Sequence, residues 1–272
     1  MSIRMIVLDL DDTLLRDDLT ISERTRESLL EAQRRGVLVV LASGRPTGAI
    51  WRYARELELH LHGGWIISFN GAVVTDCRTG NAIFEQALAR DIIHEIHDHA
   101  VEHHAGILSY VDDRIVTPKA NEWTAVEQTL TGMEVVEVPD FKAAIVRDAI
   151  KVIVVDEPSR LALTAERLRP LVEERMNMVI SKPFFLEFTD KGIDKKHSLG
   201  LLLGRLELDR DDIMAVGDSY NDMGMLDLAG LGVCMANGRD EVKAMADHIT
   251  GSNMHDGVAQ AVDRFVLDPA RD

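Results

Sequence analysis

Six consecutive apolar residues, Val37-Leu38-Val39-Val40-Leu41-Ala42, lie between Gly36 and the polar turn Ser43-Gly44-Arg45-Pro46. A run this short, apolar on both faces, predicts a parallel strand covered by helices on each side. Met5 to Asp9 reads in the same way, and Trp65 to Phe69 repeats the pattern before an Asn70-Gly71 turn. The intervening segments have helical signals. Ser22 is a good N-cap for a helix over Glu23 to Arg35, and Gly36 is its natural terminator. Pro46 stands where a first helical residue is expected, and Ala49 to Leu59 continues that helix.

Strand, helix, strand, helix, strand predicts an α/β domain on a parallel sheet. The alternation resumes late, with helices over Lys196 to Leu206, Asp222 to Ala229, Asp240 to Ala246 and Asp256 to Val266, and strands over Ile213 to Gly217 and Gly232 to Met235. From about Phe84 to Pro183 it lapses. There a long helix, Ala89 to His103, precedes a period-two stretch, Ile107 to Val116, and Ile150 to Val155, Pro158 to Met176 and Met178 to Phe188 read as strand, helix and extended chain. The expected fold is α/β: a Rossmann-like three-layer core over residues 1–83 and 184–272, with an α+β domain inserted at 84–183. No internal repeat or low-complexity tract interrupts this reading.

Composition narrows the function classes. The chain has 272 residues and a formal net charge of -16, with 30 Lys and Arg against 46 Asp and Glu. That excess argues against nucleic acid and anionic membrane as partners, both of which need a basic face. A small anionic substrate stays admissible, because a local site can carry the opposite sign. No apolar run approaches the roughly 18 residues of a membrane span. Met5-Ile6-Val7-Leu8 reads as a buried strand, leaving no room for a signal peptide. Cys77 and Cys234 lie in apolar contexts and imply no disulfide framework. A cytoplasmic protein, monomeric or homodimeric, is expected. The histidines of His94 to His104 include an i, i+4 pair, His99 and His103, but lack the His-Glu-x-x-His spacing of zinc proteases, and read as a polar helix face.

Four short segments carry the chemistry. Asp9-Leu10-Asp11-Asp12-Thr13 follows a strand end, where ligands bind in open α/β sheets. Asp9 and Asp11 are two apart and point to one side of extended backbone, so their repulsion calls for a cation or a retained proton. An oxygen-only ligand set favours Mg2+. Ser43-Gly44-Arg45-Pro46 offers a hydroxyl and backbone N–H groups at a helix start, an anion site, though alone it also reads as a capped Gly-Pro turn. Asp194 can cap the next helix, which places Lys195 in a first turn, where a cation is unfavourable unless an anion offsets it. In Gly217-Asp218-Ser219-Tyr220-Asn221-Asp222, Asp218 is a second carboxylate source for the cation, Asp222 can brace it, and Asn221 offers an amide. Together these form an inventory for a phosphoryl group held by Mg2+.

At these residues the chain resembles the haloacid dehalogenase superfamily of phosphohydrolases, whose four motifs are Asp-x-Asp-Gly-Thr, a Ser or Thr at a strand end, a Lys, and Gly-Asp-x-x-Asn-Asp. All four match in order. The insertion between the second and third is similar to the Cof-type branch with its large α/β cap, as are Asn70-Gly71-Ala72 and the tail from Val242 to Ala259. Asp12 departs from the pattern, standing where Gly is commoner. Lys196 stands where Gly often follows the motif lysine, which leaves Lys195 as the better match. The resemblance implies that Asp9 attacks phosphorus to form an aspartyl-phosphate, and that Asp11 serves as acid and then base. It implies Mg2+ held by Asp9, the main-chain carbonyl of Asp11 and Asp218, with Asp222 behind them. Phosphoryl oxygens would meet the Leu10 and Gly44 N–H groups, Ser43, Lys195 and Asn221. The expected activity is hydrolysis of a small phosphorylated metabolite, such as a sugar phosphate or cofactor phosphate, under a closing cap.

Three other functions compete with this reading. A phosphotransferase or phosphomutase uses the same aspartyl-phosphate. A phospho-receiver domain would be about half this length, with no insertion. A non-catalytic phospho-ligand binding protein would be expected to lack Asp9 or Asp11.

Overall fold

In the computed structural model, which describes residues 3–269, the strands in chain order are β1 (Met5–Leu8), β2 (Leu38–Ala42), β3 (Trp65–Ser68), β4 (Val73–Asp76), β5 (Ala82–Glu85), β6 (Gly106–Val111), β7 (Arg114–Thr117), β8 (Val135–Glu137), β9 (Lys151–Val155), β10 (Met176–Lys182), β11 (Phe185–Asp190), β12 (Ile213–Gly217), β13 (Leu231–Cys234) and β14 (His248–Ile249). They form an eight-stranded sheet, ordered β14-β13-β12-β1-β2-β3-β4-β5, and a six-stranded sheet, ordered β10-β11-β9-β6-β7-β8. The chain divides into two compact units. One runs to Phe84 and resumes at Asp194; the other is Glu85–Ile193.

In the first unit, β14 through β3 are parallel and β4 is antiparallel to β3. Alternate residues of the central strands enter opposite cores. Ile6, Leu8, Val39 and Leu41 pack with Leu29 and Ala32 of the helix Glu23–Arg34 and with Val258 and Val262 of the helix Gly257–Val262. Met5, Val7, Val40 and Ala42 pack with Leu199 and Leu202 of the helix Lys195–Leu206. Period-two burial on both faces accounts for the continuous apolar runs, and three layers result. From β1 the chain moves outward to β2 and β3 on one side, and from β12 to β13 and β14 on the other. The carboxyl ends of β1 and β12 therefore flank the topological switch point, where such sheets bind ligands.

The second unit is α+β. Ile93, Ile96 and Ala100 of the helix Arg90–Glu102 and Leu161, Ala165 and Leu168 of the helix Pro158–Val172 pack with Ile107, Val152, Val154 and Phe188. Residue 183, the expected end of the insertion, falls between β10 and β11, which pair antiparallel from Met176↔Asp190 to Lys182↔Phe185. A hairpin cannot be divided between units, and the second unit continues to Ile193. A helix over Glu122–Thr131, not expected from the sequence, has a capping box at Asn121 and Thr124. The expected helix from Pro158 stops at Val172, because Met176 opens a strand. Among the described residues no helix is long and apolar enough to cross a membrane.

Candidate active site

Each strand end presents its chemistry through a loop with an apolar anchor. The Asp9 N–H donates to the Val216 carbonyl (3.0 Å), fixing the end of β1 against β12. Leu10, Leu14 and Leu15 are buried in the core, so the intervening polar residues face away from it. Asp12 adopts φ +60, the left-handed region in which glycine is least strained. Its carbonyl accepts a bond from Asn237 Nδ2 (2.7 Å), which holds the turn from β13's loop. Asn253 ties down the same segment, its Nδ2 donating to the Leu15 carbonyl (3.0 Å) and its N–H to Asn237 Oδ1 (3.0 Å).

The centre of the site is an ammonium between carboxylates. Lys195 Nζ donates to Asp9 Oδ1 and to Asp222 Oδ1, both at 2.6 Å. Its side chain is 1% exposed. Asp222 Oδ2 in turn accepts from the N–H groups of Asp218 and Ser219, each at 3.0 Å. Both oxygens of Asp222 are thus engaged, and the residue braces the loop after β12 against Lys195. Asp218 Oδ1 accepts from the Thr13 hydroxyl (2.9 Å). Lys196, by contrast, is half exposed and pairs with Asp227.

Lys195 reaches this position because its helix starts against Gly71. Gly71 adopts φ +110, and a Cβ there would collide with the Asp194 carbonyl. The Ser198 hydroxyl bonds the Gly71 carbonyl. Gly71→Ala should therefore cost about 2–4 kcal/mol, combining backbone strain with overpacking. Gly80 also has positive φ (+75) but open space around it. Gly80→Ala, lacking the collision, should cost only about 1–2 kcal/mol. Urea unfolding of the two variants checks the difference.

Asp11 faces a different cation. Arg45 Nε donates to Asp11 Oδ2 (2.9 Å) and Arg45 Nη2 to Oδ1 (2.5 Å). The two carboxylates expected to share one cation thus each have a cationic side chain of their own. Ser43 is buried, its N–H donating to the Ile67 carbonyl (2.8 Å) and its hydroxyl accepting from the Arg45 N–H (3.1 Å). Pro46 has φ -58 and ψ 149 and is the N-cap of a helix over Thr47–Glu56, one residue outside its expected place, because its ψ is extended. Asn221 Nδ2 donates to Asn70 Oδ1 (3.1 Å), so the loop after β3 meets the loop after β12. Arg45, Thr13 and Asn237 carried no role in the sequence reading. Their partners are distant in the chain, and a bidentate Arg–Asp pair leaves no periodic trace.

The electrostatics ask for a cation. Burial first, then the charge of Asp222, lifts Asp9 well above the usual carboxylate range despite Lys195 beside it. Burial and Asp222 likewise push Asp218 up to about 6, against the lowering bond from Thr13. Burial pulls Lys195 down, but Asp222 and Asp9 outweigh it, so the ammonium stays charged. Ionised, Asp9, Asp218 and Asp222 with Lys195 sum to a net -2, the charge one divalent cation neutralises. Oxygens of the three carboxylates lie within 4.8 Å of one another, close to the span of about 4.2 Å across a Mg2+ ion with Mg–O near 2.1 Å. Hard oxygen donors of net charge -2 fit Mg2+. Asp9 and Asp218 could hold it, with Asp222, whose two oxygens already accept from Lys195, Asp218 and Ser219, as their brace. Among the described residues no other such cluster occurs, the histidines of Arg90–Glu102 included. His97 instead stacks on Phe141, with ring centroids 5.4 Å apart.

Residues 6–262 match the family model of haloacid dehalogenase-like hydrolases. A Streptococcus pyogenes protein is 34% identical over 98% of this chain and all of its own length. The Bacillus subtilis 5-amino-6-(5-phospho-D-ribitylamino)uracil phosphatase YcsE is 30% identical over 97% of this chain and 96% of its own. A crystal structure of a haloacid dehalogenase-like hydrolase from Bacteroides thetaiotaomicron superposes with a TM-score of 0.94 at 36% identity, covering 97% of this chain and 100% of that one.

Proposed function

The chain belongs to the haloacid dehalogenase-like hydrolase family, and from that premise we propose that it hydrolyses small-molecule phosphate monoesters through an aspartyl-phosphate, with Mg2+ as cofactor. The observation that carries the reading is the buried Asp9–Lys195–Asp222 array beside Asp218. Asp9 attacks phosphorus as the bond to the leaving alcohol breaks, and Asp11 gives that oxygen its proton. Asp11 then takes a proton from the water that attacks the phosphorus of the aspartyl-phosphate, which frees phosphate and restores Asp9. Mg2+, when held by Asp9, the Asp11 carbonyl and Asp218, supplies charge neutralisation and orientation. Leu10 and Gly44 N–H groups, the Ser43 hydroxyl, Asn221 and the third N–H of Lys195 bind phosphoryl oxygens. Lys195 is held by both Asp9 and Asp222, so its charge is preorganised.

The substrate we infer is a sugar phosphate or cofactor phosphate in the cytoplasm; the substrate in the name of the Bacillus relative is likewise a small phosphorylated molecule. A screen for phosphate release over such monoesters, with and without Mg2+, tests this. Release that requires the cation is expected. No release from any ester, an activated aryl phosphate included, contradicts the proposal.

Metal binding should also be visible in stability. An Asp raised to about 6 in the folded state opposes folding above that pH, and the penalty fades as pH falls through it. Cation binding reverses the sign of that contribution, but protons compete with the metal below about 6. Mg2+ at a hundredfold excess over its Kd should stabilise the protein by about 2–3 kcal/mol at neutral pH. The same Mg2+ concentration should raise Tm less in acid. A Tm increment independent of pH contradicts the ligand assignment.

A further inference from the structure

Arg45 lies in the loop between β2 and the helix Thr47–Glu56, and nothing in the proposed chemistry requires a cation at that position. Its side chain is 8% exposed, whereas the Asp11 side chain it grips is 49% exposed. A half-exposed aspartate without a partner samples several rotamers. Here both carboxylate oxygens are engaged, Oδ2 by Nε (2.9 Å) and Oδ1 by Nη2 (2.5 Å). Such a fork fixes the plane of a carboxylate as well as its position. It also leaves acceptor sites, since a carboxylate offers about four lone-pair directions and the fork takes two.

The Arg45 backbone is itself held. The Arg45 N–H donates to Ser43 Oγ (3.1 Å), and the Arg45 carbonyl accepts from the Phe69 N–H (3.0 Å). Arg45 Cζ lies 5.9 Å from the ring centroid of buried Tyr53. The order of this chain of contacts runs from core to site: Tyr53 and the Ser43 loop fix Arg45, and Arg45 fixes Asp11.

We propose that Arg45 is the positioning residue for the proton-transfer group, orienting the Asp11 carboxylate toward the leaving-group oxygen. The assignment rests on the reading of Asp11 as acid and base. It makes Arg45 act through Asp11, with no direct hold on the phosphoryl group. A misplacement near 1 Å can cost about a hundredfold in rate, so the effect belongs in kcat and grows with the proton demand of the leaving group.

The experiment measures kcat and KM for a series from 4-nitrophenyl phosphate to alkyl phosphates, in the parent enzyme, Arg45→Gln, Arg45→Lys, Asp11→Asn and the Arg45→Gln/Asp11→Asn double variant, all with Mg2+. Arg45→Gln should lower kcat roughly 10- to 100-fold on alkyl esters but only a few-fold on the aryl ester, with KM within about twofold. Arg45→Lys should be no better, because a point charge lacks the fork. In the Asp11→Asn background the Arg45 change should cost less than about twofold. Thermal melts that stay near the parent's show that the Gln variant folds. Equal losses on every ester with raised KM and weaker inhibition by inorganic phosphate would make Arg45 a direct phosphate ligand and overturn the proposal. Full rescue by Lys, or an undiminished effect in the Asp11→Asn background, overturns it too. Loss in Asp11→Asn that is the same for all leaving groups is a different failure: it removes the acid reading of Asp11, and this proposal with it, while leaving Asp9 as nucleophile.

Discussion

Asp9→Asn should lower phosphatase turnover by roughly a thousandfold or more, as removal of a nucleophile does, while leaving the fold intact. The amide has nearly the same shape as the carboxylate but cannot displace an alcohol from phosphorus. Its carbonyl oxygen can still accept from Lys195, which also keeps Asp222 at 2.6 Å. Burial and neighbouring charge hold Asp9 well above the usual carboxylate range, so its ionised form is strained in the absence of a cation. Removing that charge should leave the metal-free variant at least as stable as the parent near neutral pH. Mg2+ affinity should fall in parallel, because one of two carboxylate ligands is lost. Lost turnover with preserved or raised stability separates a nucleophile from a structural ion pair. A structural residue would lose both.

Lys195→Met should do the opposite to stability. Met approximates the length of the stem and carries no charge, leaving Asp9 and Asp222 facing each other in a buried site. Breaking a buried ion pair by removing one partner costs about 3–5 kcal/mol. The sign of its pH dependence follows from Asp9. Losing the ammonium raises a group already raised by burial. An aspartate with a folded pKa above its unfolded one destabilises the fold above that pKa, and the cost disappears as the group protonates on acidification. The deficit in urea unfolding should therefore be large at neutral pH and shrink in acid. Turnover should be lost at both, since a protonated Asp9 is no nucleophile and a charged one has no ammonium to offset the substrate's charge. A deficit that does not change with pH contradicts the charge account of Lys195.

What could be read in advance divides along a physical line. The strands β1, β2, β3, β12 and β13 are short and apolar on both faces, and that pattern is local in the sequence. So is the habit of such strands of ending in polar turns. Asp9, Ser43, Asp218 and Asn221 come at those ends, and Lys195 opens the helix that Asp194 caps. Their convergence on one end of one sheet follows from the parallel topology. Contacts that close the site were hidden for the converse reason. Arg45 meets Asp11 across 34 positions and Asn237 meets Asp12 across 225, and single polar residues in loops have no period. The helix Glu122–Thr131 has no clear periodic signal, although Asn121, Thr124 and Gly132 mark its ends. Its apolar face is narrow, with Val126 and Leu130 only partly buried against the second sheet face. The hairpin of β10 and β11 blurred the unit boundary, since alternation within a strand does not reveal which strand it pairs with.

The most direct test is to catch the covalent intermediate. Asp11→Asn, mixed with an activated aryl phosphate and Mg2+, should form the aspartyl-phosphate but hydrolyse it slowly, because no base takes the proton of the attacking water. Rapid acid quench followed by peptide mass spectrometry should show one phosphoryl increment on the peptide that carries Asp9, removed by alkali and absent from Asp9→Asn/Asp11→Asn. A phosphoryl group on any other residue, or aryl release at the parent's rate with no modified peptide at any quench time, contradicts Asp9 as the nucleophile.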